Sequence, residues 1–154
     1  MCGIIAVIEK QNQSVDIELF ERALGDIKHR GPDNQSFQSF GNICLGHVRL
    51  SILDLTDASN QPISNDHGVL VFNGEIYNFR ELAKRYKLSK TAFRSDTLFL
   101  LEFLTLGKDY NELRGMFAFA YYDRRSGELL VVRDQLGIKP LYYLETTSSI
   151  IFAS

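Results

Sequence analysis

The run Met116-Phe117-Ala118-Phe119-Ala120-Tyr121-Tyr122 is apolar on both faces when read as a strand, and such a strand needs cover on both sides. Asp123 to Gly127 turns it back into Glu128-Leu129-Leu130-Val131-Val132, which predicts a hairpin. Upstream, a helix is predicted from Asp96 to Leu106, stopping at Gly107. Its Leu98, Phe99, Leu100, Leu101, Phe103, Leu104 and Leu106 leave little polar surface, so it should be well buried. A buried helix beside a two-faced strand favours stacked sheets with helices outside. Further short strands are predicted at residues 3–8, 35–40, 43–49, 69–73, 141–144 and 149–153. Ile17, Phe20, Leu24 and Ile27 give one apolar helical face over residues 16–28. Phe79, Leu82, Ala83 and Tyr86 give another, starting at Asn78, where Glu81 three residues on resembles a capping box. Many antiparallel-looking strands with two or three long helices make the class α+β.

The 154 residues suit one domain with a single sizeable core. Hydrophobic residues make up 45%, against 23% charged, which is an ordinary globular balance rather than a disordered or fibrous one. The 17 basic and 19 acidic residues leave a formal charge of -2 with no basic block, so nothing invites nucleic acid. No apolar run approaches the roughly 20 residues of a spanning helix, and the short apolar start lacks the basic flank of a signal peptide. Cys2 and Cys44 are too few for a disulfide framework, which points to a reducing, cytoplasmic setting. There is no repeat or linker, and Ser149-Ile150-Ile151-Phe152-Ala153-Ser154 ends without a closing turn, like a cut through a longer protein.

Cys2 directly follows the initiator Met, and its side chain is small enough for normal Met removal. Removal exposes a thiol and a free α-amine on one residue. An α-amine titrates near ~8 and a thiol near ~8.5, so the amine can take the thiol proton at neutral pH and no separate histidine base is needed. The same position also suits an inert buried cysteine. In Val71-Phe72-Asn73-Gly74-Glu75-Ile76-Tyr77-Asn78, after a strand and before a helix, Asn73 offers an amide donor and Gly74 a closely approachable N–H. Together they suit an oxyanion hole, or equally an Asn-Gly turn with ordinary capping. Arg49 suits a carboxylate and Asp96 an ammonium, the two ends of an amino acid. Taken alone, the plainer readings prevail: a surface charge for Arg49 and a helix-start carboxylate for Asp96. His29, His47 and His67 lack metal-ligand spacing with either cysteine, and no phosphate loop occurs.

Several stretches in register carry a resemblance: Cys2-Gly3-Ile4, His29-Arg30-Gly31-Pro32-Asp33, Arg49-Leu50-Ser51-Ile52, Gln61-Pro62 and Phe72 to Asn78. Ser95-Asp96-Thr97, Gly115 to Ala120, Arg133-Asp134 and Leu136-Gly137-Ile138-Lys139-Pro140-Leu141-Tyr142-Tyr143 continue it. The chain resembles the class II glutamine amidotransferase domain, in the form carried by glutamine-hydrolysing asparagine synthetases, from residue 2 to its end. The resemblance implies a four-layer αββα sandwich of the N-terminal-nucleophile type over residues 1–154. Cys2 matches the nucleophile that releases ammonia from L-glutamine through a thioester, and Asn73 and Gly74 match the oxyanion hole. Arg49 matches the clamp on the substrate α-carboxylate, and Asp96 and Glu75 the contacts to its α-ammonium.

The resemblance also implies a partner, the C-terminal synthetase domain absent from this chain. That domain would bind ATP and magnesium and would spend the ammonia on a carboxylate, normally aspartate. No cofactor is expected in this fragment, and a homodimer is compatible with it. Other acceptors, or a non-catalytic glutamine-sensing domain, are the competing readings, with an ordinary hydrolase holding Cys2 in its core as a third. Ala6 replaces a more usual glycine, Asn60 the glycine usual before Gln61-Pro62, and Leu98 an acidic residue; the first two bear on loop packing near the site. While Met1 remains, the α-amine of Cys2 is locked in a peptide bond, and that state should be inactive.

Overall fold

The computed structural model describes residues 1–50 and 60–154. The Ser51-Ile52 part of the motif that begins at Arg49 lies outside the described residues. Among the described residues nine strands and three α-helices follow one another: β1 (Gly3–Glu9), α1 (Ile17–Asp26), β2 (Asn34–Phe40), β3 (Ile43–Arg49), β4 (Ile63–Ser64) and β5 (Gly68–Ile76), then α2 (Phe79–Arg85), α3 (Asp96–Thr105), β6 (Gly115–Asp123), β7 (Glu128–Arg133), β8 (Tyr142–Glu145) and β9 (Ser149–Ala153). They form two antiparallel sheets, one in the order β2-β3-β1-β9-β8 and the other β4-β5-β6-β7.

Side-chain alternation divides the apolar residues into three layers. Phe117, Phe119 and Tyr121 of β6 and Leu70 and Phe72 of β5 point outward and pack on α2 and α3 through Leu82, Phe99, Leu100 and Phe103. Ala118 and Ala120 point the other way and meet Val69 and Val71, together with Ile4 and Ala6 of β1 and Leu45 of β3, between the sheets. Ile5, Val7, Cys44 and Val48 face Phe20 and Leu24 of α1. The layers are therefore α1, five-stranded sheet, four-stranded sheet, and α2 with α3. The two-faced reading of residues 116–122 holds, because each face of β6 lies in a different apolar layer. The α+β sandwich expected from it is the fold.

Asp16 and Ser95 cap α1 and α3, accepting from the Leu19 and Leu98 N–H groups at 3.0 and 3.2 Å. Gly107, at φ +64°, sits just beyond α3 as predicted. The capping box at Asn78 does not form. The Asn78 backbone is already near-helical (φ -97°, ψ 19°), so its side chain does not fold back onto α2. Instead it bridges to the segment before β6, donating to Glu112 O at 2.9 Å and accepting from Arg114 N at 2.9 Å.

The strand predicted at 69–73 runs on to Ile76, so Asn73, Gly74 and Glu75 lie inside β5 rather than after it. The apolar run stops at Phe72, but pairing with β6 continues as Asn73↔Ala118, Gly74↔Phe117 and Ile76↔Gly115. Gly74 (φ +153°) is required there, because a Cβ would stand 2.1 Å from Met116 O. β4 and four short 3₁₀ turns, at Lys10–Asn12, Lys28–Arg30, Lys90–Phe93 and Tyr110–Glu112, were not predicted. They are too short to show a periodicity.

Candidate active site

The start of β1, the ends of β3, β5 and β9, and the start of β6 all lie at one edge of the sandwich. Cys2 stands just ahead of β1. Its half-buried thiol receives the Leu50 N–H at 3.5 Å and faces Leu50 O at 3.8 Å, beside Arg49. The register Gly3↔Val48 extends to bring Cys2 next to Arg49. Arg30, from the turn after α1, donates through Nε to the Cys2 carbonyl at 3.3 Å. In the sequence Arg30 stands only within the motif His29-Arg30-Gly31-Pro32-Asp33, which assigns it no role.

Arg49 is buried, not a surface charge, and donates through Nη1 to Asn60 Oδ1 at 2.7 Å. Asn60, the departure from the family's glycine, thus meets the residue matched to the carboxylate clamp. Gln61 next to it is buried and binds both backbone groups of Phe72, accepting its N–H at 2.6 Å and donating to its carbonyl at 3.1 Å. That fixes the backbone just ahead of Asn73. Asn73 is itself buried, and its Nδ2 lies 3.5 Å from Ser154 Oγ, which also accepts from Ile4 N at 3.1 Å. One hydroxyl therefore links Asn73 on β5 to the residue two positions after Cys2. Nothing in the sequence marks Ser154.

Asp96 opens α3, yet its carboxylate turns to β5 and accepts from Ile76 N at 3.1 Å. Burial pushes the Asp96 carboxyl above its usual range, with the nearby Glu75 adding to the effect and the Ile76 N–H opposing it. Glu75 is exposed. Asp96 and Glu75 therefore share the end of β5, whereas Cys2 and Arg49 share the β1–β3 edge. Asn73 is the residue connected to both groups.

Asp134, after β7, is buried and accepts four backbone N–H groups, from Phe117, Leu136, Ile138 and Lys139, at 2.9–3.2 Å. Burial works against its charge, but these donors hold the carboxyl below the usual range. The loop they fix brings the buried Lys139 to the chain start, where Nζ lies 3.3 Å from Met1 Sδ. Cys44, deep under α1, has its thiol pushed up to about 12 by burial. Among the described residues no cluster of three His, Cys, Asp or Glu side chains has the geometry to hold a metal. No described helix is long and apolar enough to cross a membrane.

The sequence profile described as "Glutamine amidotransferase domain" matches residues 1–154. Asparagine synthetase (glutamine-hydrolyzing) 1 of Bacillus subtilis is 36% identical over 163 residues, covering 100% of this chain and 26% of that protein. Amidase chry2 of Gibberella zeae is 35% identical over 178 residues, again covering 100% of this chain and 26% of that protein. The chain spans about a quarter of the length of these relatives. Among solved structures, the glutamine phosphoribosylpyrophosphate amidotransferase of Bacillus subtilis superposes with a TM-score of 0.77 at 18% identity, over 99% of this chain and 41% of that one. That likeness is one of fold.

Proposed function

The chain belongs to the glutamine amidotransferase domain family, and on that premise we propose that it hydrolyses L-glutamine to glutamate and ammonia with Cys2 as nucleophile. The observation that carries the reading is the Cys2 thiol on the Leu50 N–H, one residue past Arg49, with Asn73 tied to β1 through Ser154 and Ile4. After Met1 is removed, the Cys2 α-amine takes the thiol proton and the thiolate attacks the side-chain amide carbon. The oxyanion that forms is held by Asn73 Nδ2 and the Gly74 N–H. Collapse of the tetrahedral intermediate breaks the C–N bond. The proton returns to the nitrogen, ammonia leaves, and water then cleaves the γ-glutamyl thioester. Arg49 holds the substrate α-carboxylate, while Asp96 and Glu75 hold its α-ammonium.

The ammonia passes to an ATP-dependent synthetase domain in the longer protein, where magnesium and ATP belong. Aspartate is the acceptor suggested by the relative named asparagine synthetase. A relative with a different name, amidase, is equally covered by this chain, and the second reading is that another carboxylate takes that place. The test is a glutaminase assay on two preparations distinguished by intact mass. Chain beginning at Cys2 should release glutamate and ammonia, and chain retaining Met1 should be nearly inactive. Full ammonia release with Met1 in place would refute the mechanism, and no release from processed chain would favour a glutamine sensor.

A further inference from the structure

Ser154 joins the two sheets through its hydroxyl. It is buried, its N–H donates to Ile4 O at 3.0 Å, and its Oγ accepts from Ile4 N at 3.1 Å. Both bonds clamp the end of the β9 segment onto the strand that starts at the nucleophile. The same Oγ lies 3.5 Å from Asn73 Nδ2, across the gap between the sheets.

Asn73 otherwise has its backbone fixed by Gln61 through Phe72, and among the described residues no other hydrogen bond orients its amide. A primary amide presents two N–H donors at one end and an acceptor at the other. Turned by half a rotation, it would offer Oδ1 to a developing negative charge and repel it. Ser154 Oγ, held in place by the Ile4 N–H, faces the Nδ2 end of the amide at 3.5 Å, takes one of its hydrogens and leaves the second free to point elsewhere.

We propose that Ser154 is a positioning residue that sets which end of the Asn73 amide faces the reacting amide oxygen. The inference rests on the oxyanion role given to Asn73, and it adds a residue that neither motif nor spacing marks. Because Ser154 acts through Asn73, its effect falls on kcat and disappears once the Asn73 amide is gone.

The experiment is a double-mutant cycle in chain processed to begin at Cys2, measuring kcat and KM for glutamine hydrolysis. Ser154→Ala is expected to lower kcat about three- to tenfold with KM within about twofold, the scale of one neutral hydrogen bond. In an Asn73→Ala background it is expected to cost nothing further. An equal loss in both backgrounds would show that the hydroxyl acts through Ile4 and the β1 start, and would overturn the proposal. A rise in KM alone would overturn it as well. Should Ser154→Ala fail to fold, Ser154→Cys is nearly the same size but a weak acceptor, and wild-type kcat in that variant would overturn the proposal. If Asn73→Ala itself leaves kcat unchanged, the oxyanion reading falls first and takes the Ser154 role with it, a result distinguishable from independent losses at the two sites.

Discussion

Cys2 and Cys44 carry the same thiol in opposite surroundings. Cys44 is enclosed under α1, where burial pushes its thiol up to about 12 despite hydrogen bonds to Ser39 and the Leu45 backbone. Cys2 is half-buried at an open edge, with a backbone N–H directed at its sulfur. Since the thiolate is the nucleophile, iodoacetamide at pH 8 should alkylate Cys2 and spare Cys44 until the chain is denatured. Peptide mapping after a timed reaction checks this; labelling of Cys44 in the folded chain would contradict it. Cys2→Ala should abolish glutaminase activity and Cys44→Ala leave it largely unchanged. On the roles proposed for them, Arg49 and Asn73 should separate in the kinetics. Arg49→Ala removes a charge-assisted contact and should cost at least about tenfold in kcat/KM, mostly through KM. Asn73→Ala removes a donor that acts on the transition state and should lower kcat by roughly 10²–10³. A rise in KM with kcat intact in Asn73→Ala would make Asn73 a packing residue.

Among the elements, α1 and α3 are both ten residues long and both begin with a side-chain cap, yet only α3 begins at the candidate site. Ser95 caps it, and the next residue, Asp96, reaches the Ile76 N–H on β5. Asp16→Ala and Ser95→Ala should each cost about 1 kcal/mol, the usual worth of an N-cap. Only Ser95→Ala should also raise KM for glutamine, because fraying of the first α3 turn displaces Asp96. Urea denaturation and steady-state kinetics on both variants test this, and an equal KM rise in Asp16→Ala would sink the link. The capping box expected at Asn78 failed because the signal is local, whereas the Asn78 amide is used across a separation of 34 and 36 residues. The end of β5 was missed for the same reason. Asn73-Gly74 has turn chemistry in isolation, and the β6 partner overrides it.

For the whole molecule, the layer between the sheets holds one ionisable group that resists charge. His47 is fully buried on β3, and neither ring nitrogen meets hydrogen-bond geometry with a described residue. Burial, helped by the Arg49 cation, lowers its pKa to about 4, while the nearby Phe72 backbone opposes the shift weakly. Between pH ~6.5 and about 4 the unfolded chain therefore binds a proton that the folded chain refuses. Stability is held above that window and lost as pH falls through it, by as much as ~3 kcal/mol from this residue. Asp96 works the other way: its raised carboxyl pKa makes the folded state the better proton binder, so its contribution grows on acidification. Urea midpoints from pH 7 to 4 should show the loss in wild-type chain and a flatter curve in His47→Gln. A parallel fall in both would assign acid sensitivity to other groups.

The amino-acid sequence alone determined the class of fold and the chemistry on offer. The two-faced run at 116–122 demanded layers on both sides, the mostly apolar helix predicted from Asp96 to Leu106 demanded burial, and the motifs singled out Cys2, Arg49, Asn73, Gly74, Glu75 and Asp96. These signals are legible because periodicity and residue type act over a few neighbouring positions. The tertiary structure alone decided how the residues meet: Asn60 on Arg49, Gln61 on Phe72, Arg30 on the Cys2 carbonyl, and Ser154 between Ile4 and Asn73. The Ser154 contacts join residues 150 and 81 positions apart. No local pattern encodes such pairings, because they arise from strand register and sheet stacking, which the whole chain fixes together.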